Sequence, residues 1–276
     1  MQTTEEKNPK SNDSAAEKPN DRVRLFGIDI DVLDMRGTVE RIMSWVQNDA
    51  RECKFVVTPN VDHVLLLQKN EALRQAYRDA SLVVADGFPV VVASKWLGSP
   101  LPERVAGSEL VPHLFDQFEE RDERTSVYIL GAMPGVAVKA ARTIDKNWPK
   151  IKVVGTYSPP FGFQDNEEEC ESILRRIRKA KPDVVIFGVG APKQEIWTQR
   201  FHEQIDAKVL LCIGATIDFL AGEKPQAPVW MRRCGLEWLH RCASEPKRLS
   251  KRYLTNARMF PQILFQEWRQ AKRANR

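Results

Sequence analysis

Five short stretches place polar residues where an apolar strand would hand over to a loop or helix, and these are where chemistry would sit. In Val57-Thr58-Pro59-Asn60-Val61-Asp62-His63 an apolar run ends at Thr58, and Asn60 stands where a helix would begin. Taken alone this reads as a helix cap, since Asn and Asp satisfy the free N–H groups of a first turn. In Val83-Val84-Ala85-Asp86-Gly87-Phe88-Pro89 a carboxylate follows directly on a fully apolar strand, and Gly87 allows a tight turn. An Asp at the C-terminal end of a parallel strand faces the ligand crevice of an α/β sheet and could act as a general base; a turn or cap Asp is the competing reading. Arg104 precedes a Gly107-Ser108 helix entry, so a guanidinium and a helix N-terminus could meet one anion, although a surface arginine needs no such role.

In Phe187-Gly188-Val189-Gly190-Ala191-Pro192-Lys193-Gln194-Glu195, Gly188 and Gly190 follow a Val-rich strand and allow close backbone approach to a ligand. Pro192 suits a first helical turn. The pattern is neither GxGxxG nor a Walker loop, so it points only weakly to a nucleotide. The fifth stretch, Gly214 to Gly222, is another strand-to-loop junction and carries Asp218.

Other signals are set aside. Asp29-Ile30-Asp31 spells DxD, a metal-holding pattern in many sugar-nucleotide enzymes, but it precedes any complete nucleotide-binding unit and reads as a strand-end turn. His63, His113, His202 and His240 form neither HExxH nor a close pair, so no zinc site is expected. No GxSxG elbow occurs. Cys53, Cys170, Cys212, Cys234 and Cys242 contain no CxxC pair, which predicts free thiols in a reducing compartment.

The elements that must position these residues show in the alternation of apolar runs and amphipathic stretches. Runs at Phe26–Ile30, Phe55–Thr58, Leu82–Ala85, Val127–Leu130, Val153–Tyr157, Val184–Val189 and Val209–Ile213 have the Val/Ile richness of buried parallel strands. Helical stripes run over Thr38–Val46, with Thr38 and Arg41 available to start it, and over Ser108–Phe118, with Ser108 as a cap. A third covers Asn166–Ala180, acidic at its start and basic at its end. This predicts a Rossmann-like α/β body over residues 22–223, an open and mostly parallel sheet with helices on both faces. Residues 1–21 read as a disordered leader without the apolar core of a signal peptide. Residues 224–276 read as a helical appendage interrupted at Gly235, Pro246 and Pro261.

Charge divides along the same line. The 276-residue chain has a formal charge of +5. Lys224 to Arg276 holds 13 Lys and Arg against 3 Asp and Glu, leaving 29 basic and 34 acidic residues for the rest. An acidic body thus carries a basic tail bearing Trp230, Trp238 and Trp268, which suggests a polyanion or an anionic membrane surface as partner. No run of about 18 apolar residues occurs, so no spanning helix is expected.

Read together and in order, TPNVDHV, VVADGFPVVVASKWLG, ERVAGSEL, GVGAPKQEIW, GATIDFLAGEKPQAP and GLEWLHRCASEPKRLSKRY resemble the WecG/TagA/CpsF glycosyltransferases (glycosyltransferase family 26), over about residues 23–256. The resemblance implies transfer from a UDP-sugar to an undecaprenyl-diphosphate-linked acceptor sugar, with inversion to a β-linkage and apparently without a metal or other cofactor. It makes Asp86 the general base, sets Thr58 and Asn60 near the sugar, and places Arg104 and Gln194 around the diphosphate and substrate. The basic appendage becomes a membrane-docking segment that closes over the site, with Arg241 and Arg248 the arginines nearest it and Lys251 where another basic residue is usual. It further implies a cytoplasmic protein held peripherally at the inner face of the plasma membrane. A homo-oligomer in which a neighbour covers the tail is compatible with the pattern. Glu109, where many relatives have Asp, and Gln226, where many have Arg, put the identity of the sugar in doubt.

The chemistry agrees independently. Displacing UDP needs a base for the acceptor hydroxyl and positive charge for the leaving diphosphate, which Asp86 and the tail arginines would supply. The alternative, a basic nucleic-acid-binding protein with a Rossmann-like body, fits the acidic body poorly, so no nucleic-acid partner is expected. An NAD enzyme lacks its GxGxxG.

Overall fold

The computed structural model describes residues 21–274, so all but the last residue of the expected leader lies outside the described residues. The chain opens with a hairpin, β1 (Arg22–Leu25) paired antiparallel to β2 (Ile28–Asp31). The sequence places Phe26–Ile30 as one strand. Instead Phe26 and Gly27 both take positive φ, 56° and 80°, and form the tight turn whose twist suits a two-residue hairpin. The DxD residues lie on β2 rather than in a turn. Asp29 pairs with Arg24 at 2.9 Å. Asp31 meets Arg22 at 2.8 Å and accepts from the Val83 N–H at 2.8 Å, tying the hairpin to the strand that precedes Asp86.

Six parallel strands form the main sheet in the order β4-β3-β8-β7-β5-β6: β3 (Lys54–Val57), β4 (Leu82–Val83), β5 (Thr125–Gly131), β6 (Ile151–Tyr157), β7 (Val184–Gly188) and β8 (Val209–Cys212). Side chains alternate between the two faces, and both faces are buried. Phe55, Val57, Leu210 and Cys212 enter one core, while Val56, Val209 and Leu211 enter the other. The first core is completed by α2 (Val61–Leu67), α3 (Glu71–Asp79), α4 (Phe88–Trp96), α7 (Glu167–Ala180) and α8 (Lys193–Phe201). The second is completed by α1 (Met35–Gln47), α5 (Gly107–Glu120), α6 (Val136–Asn147) and α9 (Thr216–Leu220).

Two helices begin earlier than their stripes predict. Asp34 caps α1, its side chain accepting from the Gly37 N–H at 2.7 Å, so Thr38 lies inside the helix. Ala106 is the cap position of α5 and Ser108 falls in its first turn; Gly107, the first helical residue, packs so closely on Ile213 that a Cβ there would lie 2.8 Å from it. The stripe over Asn166–Ala180 is a helix as predicted, with Asn166 as its cap, the side chain accepting from the Glu169 N–H at 3.1 Å.

The C-terminal segment is helical: α10 (Val229–Arg233), α11 (Glu237–Ser244) and α12 (Pro246–Ala274). Gly235, at φ +72°, makes the break between the first two. Pro246 starts α12, whereas Pro261 lies inside it rather than ending it. The segment is seated on the body. Leu249 and Ile263 are buried, and Phe260 packs on the hairpin turn residue Phe26 with ring centroids 5.7 Å apart.

Candidate active site

The loops after β3 and β4 are joined by backbone hydrogen bonds before any side chain is considered. The Asp86 N–H donates to Pro59 O at 2.9 Å, and the Val105 N–H donates to Ala85 O at 2.8 Å. Asp86 is thus held between the Asn60 loop and the Arg104 loop. Gly87 closes the turn against Asn60; a Cβ at Gly87 would come within 3.3 Å of the Asn60 Cα. Asn60 is also the cap of α2, its Oδ1 accepting from the Asp62 and His63 N–H groups at 3.0 and 3.3 Å. Capping and a place in the site are therefore compatible.

These loops floor a cavity of about 320 Å³ whose roof comes from the C-terminal helices. Asn60, Asp86 and Arg104 line it from the body; Arg232, Glu237, Arg241, Arg252 and Asn256 line it from above, with Phe88, Trp238 and Phe260 as apolar wall. Arg104 sits at the centre of a charge ladder. Its guanidinium lies 3.9 Å from Asp86, 2.5 Å from Glu109 and 2.9 Å from Glu237. Glu109 also holds Arg232 at 2.5 Å, and Glu237 also holds Arg241 at 2.7 Å. The ladder therefore contains three guanidinium groups and three carboxyl groups.

Asp86 is the carboxyl with the longest ion pair, 3.9 Å against 2.5–2.9 Å for Glu109 and Glu237. Burial raises it from 3.8 to about 7, and the negative charge of Glu237 adds to this; Arg104 and Arg241 pull the other way without prevailing. Its side chain is nevertheless 27% exposed, because it opens onto the cavity while protein encloses it elsewhere. A carboxyl titrating near neutrality and facing a cavity is suited to accept a proton. Arg241 Nε, also buried, has no hydrogen-bond partner among the described residues.

The other predicted site residues lie off this cavity, along the C-terminal edge of the sheet. Thr58 is buried at the end of β3. Gly188 is fixed by close backbone approach, since a Cβ there would lie 2.3 Å from Gly214 O. Gly190, at φ +88°, faces open space, and its N–H donates to Gln194 Oε1 at 3.1 Å. Gln194 in turn donates to Glu195 at 2.7 Å. Asp218 pairs with Lys224 at 2.9 Å. In α12, Lys251 is exposed and it is Arg252 that lines the cavity; the Arg248 side chain lies outside the described residues. Among the described residues no three His, Cys, Asp or Glu side chains gather as a metal site.

A family model described as the glycosyl transferase WecG/TagA/CpsF family matches residues 23–273. The chain belongs to that family. Two curated relatives, from Staphylococcus aureus strains MRSA252 and MW2, are 31% and 30% identical over 230 residues, covering 83% of this chain and 87% of each relative. Both are named N-acetylglucosaminyldiphosphoundecaprenol N-acetyl-beta-D-mannosaminyltransferase.

Family motifs led to Asp86, Arg104 and Arg241. They did not lead to Glu237, Arg232 or the contact that seats α12, where Asp62 takes Arg252 at 3.1 Å and the Asn256 amide at 2.6 Å. The one local signal for Glu237 is its place at the start of α11, four residues before Arg241 on the same helix face.

Proposed function

We propose that the protein transfers a hexosyl group from a UDP-sugar to a sugar carried on undecaprenyl diphosphate, with inversion to a β-linkage, in cell-surface polysaccharide synthesis. The observation that carries this reading is Asp86, a carboxyl at the end of a parallel strand that opens onto one cavity together with Arg104, Arg232 and Arg241. Its membership of a glycosyl transferase family supplies the reaction class.

In this reading the acceptor hydroxyl gives its proton to the Asp86 carboxylate as its oxygen bonds to the anomeric carbon. The bond from that carbon to the diphosphate oxygen breaks on the opposite face, and UDP leaves with the electron pair. Arg104, Arg232 and Arg241 meet the charge that develops on the diphosphate, and Arg241 Nε is a buried donor with no hydrogen-bond partner among the described residues. Preorganised guanidinium groups supply that neutralisation without a metal. Glu237 and Glu109 pair with these arginines, so donor binding would exchange a protein carboxylate for a phosphate oxygen. Asn60 and Thr58 are assigned to the sugar, and Gly188, Gly190, Gln194 and Asp218 to the nucleotide side of the cleft.

No helix among the described residues is long and apolar enough to cross a membrane. We assign the basic appendage to the cytoplasmic face of an anionic membrane, where a lipid-diphosphate acceptor is presented. UDP release measured with undecaprenyl-diphosphate-GlcNAc or -Glc and a panel of UDP-sugars tests the reading. The relatives' names make UDP-ManNAc with the GlcNAc lipid the first pair to try. Turnover of no UDP-sugar with any lipid-linked acceptor would overturn it.

A further inference from the structure

The outward face of α4 has no use in the chemistry above. Phe88, Val92 and Trp96 repeat every fourth residue and are 41, 48 and 57% exposed, while Val90, Val91, Ala93 and Ser94 are buried beneath them. The stripe starts at the cavity, which Phe88 lines, and runs about 12 Å along the helix to Trp96. There it meets α12. Trp96 stacks on Trp268 with centroids 6.1 Å apart, and Trp268 stacks on Phe265 at 5.8 Å. Phe265 is itself 52% exposed. Cations crown these rings: Lys272 Nζ lies 4.2 Å from the Trp268 centroid, and the Arg269 guanidinium 5.9 Å from that of Phe265.

We propose that the Phe88–Val92–Trp96 stripe, continued by Trp268 and Phe265, is the face by which the folded body enters an anionic bilayer, setting the mouth of the Asp86 cavity at the headgroup level. The arrangement of aromatic rings under Lys and Arg is that of side chains at a membrane interface, with apolar bodies inward and charged tips toward phosphate. Charge identifies the occupant. Helix α12 carries eight Lys and Arg against the single acid Glu267, and α4 carries Lys95 and no acid. A second copy of the chain would bring these cations against one another, whereas anionic lipid neutralises them. The inference rests on the lipid-linked acceptor proposed above. It adds that the catalytic body, as well as the tail, touches the membrane, so a lipid-borne sugar reaches Asp86 without leaving the interface.

Full-length protein, Val92→Glu and Val92→Glu/Trp96→Ala are compared by co-sedimentation with vesicles of phosphatidylglycerol and phosphatidylcholine, without any sugar substrate. Val92 is exposed on a helix that tolerates Glu, so the single variant carries the test if loss of the Trp96 stack loosens α12. The expected result is a fall in vesicle partitioning of roughly tenfold or more, with transfer to a short-chain, water-soluble acceptor unchanged. Unchanged partitioning would overturn the proposal. So would a shift from dimer to monomer in analytical ultracentrifugation with vesicle binding intact, which would give the face to a second copy. Reduced partitioning in a protein that transfers no sugar to any acceptor supports the membrane face and defeats the proposed function instead.

Discussion

Replacing Asp86 with Asn should stabilise the protein while abolishing turnover, and the stabilisation should depend on pH. The carboxyl is raised from 3.8 to about 7, so the native state holds its proton more tightly than the unfolded chain does. Its contribution to stability is fully present below about pH 4 and is lost as pH rises through about 7. Roughly three pH units at about 1.4 kcal/mol each give about 4 kcal/mol as the upper limit of that loss. The 27% of the side chain that opens onto the cavity reduces it to about 2–4 kcal/mol. Asparagine has the same shape and no charge at any pH, so the variant escapes the loss. Thermal melting at about pH 4.5 and pH 8 reads the difference directly. The variant should melt within about 2–4 °C of wild type at the acid pH and roughly 5–10 °C above it at the alkaline one. UDP release should fall by two or more orders of magnitude, in the range of a lost general base. An equal gain in melting temperature at both pH values, or a loss at pH 8, would refute the assignment of a strained carboxyl, and near-normal turnover would remove Asp86 as the base.

Glu237→Gln removes the like charge that helps to raise Asp86, so the acid limb of the pH–rate profile should move down. Arg104 lies within 3.9 Å of one carboxylate and 2.9 Å of the other, and Coulomb interaction at about 7 Å and an effective dielectric of about 20 is worth about 2 kcal/mol, or one to two pH units; an unmoved limb would dissociate the two carboxyls. Asp62→Ala breaks the contacts to Arg252 and Asn256, and kcat/KM should fall roughly tenfold as α12 seats less often, with raised salt mimicking the effect in wild type. Truncation after Pro225 should give a body that keeps only the α4 stripe, sediments with anionic vesicles much more weakly than the full chain, and turns over poorly; full activity would make the appendage an anchor only. Gly188→Ala, whose Cβ would lie 2.3 Å from Gly214 O, should leave little folded protein in a soluble-expression assay.

What could be read beforehand followed from local pattern. Buried parallel strands are written as continuous apolar runs, and a polar residue just after one falls at the ligand edge, which is what marks Asn60 and Asp86; Arg104 follows no such run and is marked only by the family motif and the helix entry after it. The hairpin was misplaced because Gly27 signals a turn and Phe26, equally at positive φ, does not. Pro261 looked like a helix end because its effect on the backbone is local, whereas the burial of Ile263 that holds α12 together is tertiary. The charge ladder was hidden for the same reason. Arg104 and Glu237 are 133 residues apart, Asp62 and Asn256 are 194 apart, and a Glu on a short amphipathic helix is indistinguishable in sequence from a solvated one.

Those long separations also concern when the site comes into being. The sheet that carries Asp86 is complete once β8 has been made, but the roof of the cavity is drawn from residues synthesised after every strand. A nascent or proteolytically shortened chain therefore holds the carboxyl without Arg232 and Arg241, the residues that the proposed reaction sets against the leaving diphosphate. On the proposed mechanism, catalytic competence arrives last, after the fold that bears it is already standing, and a fragment would waste little activated sugar on water.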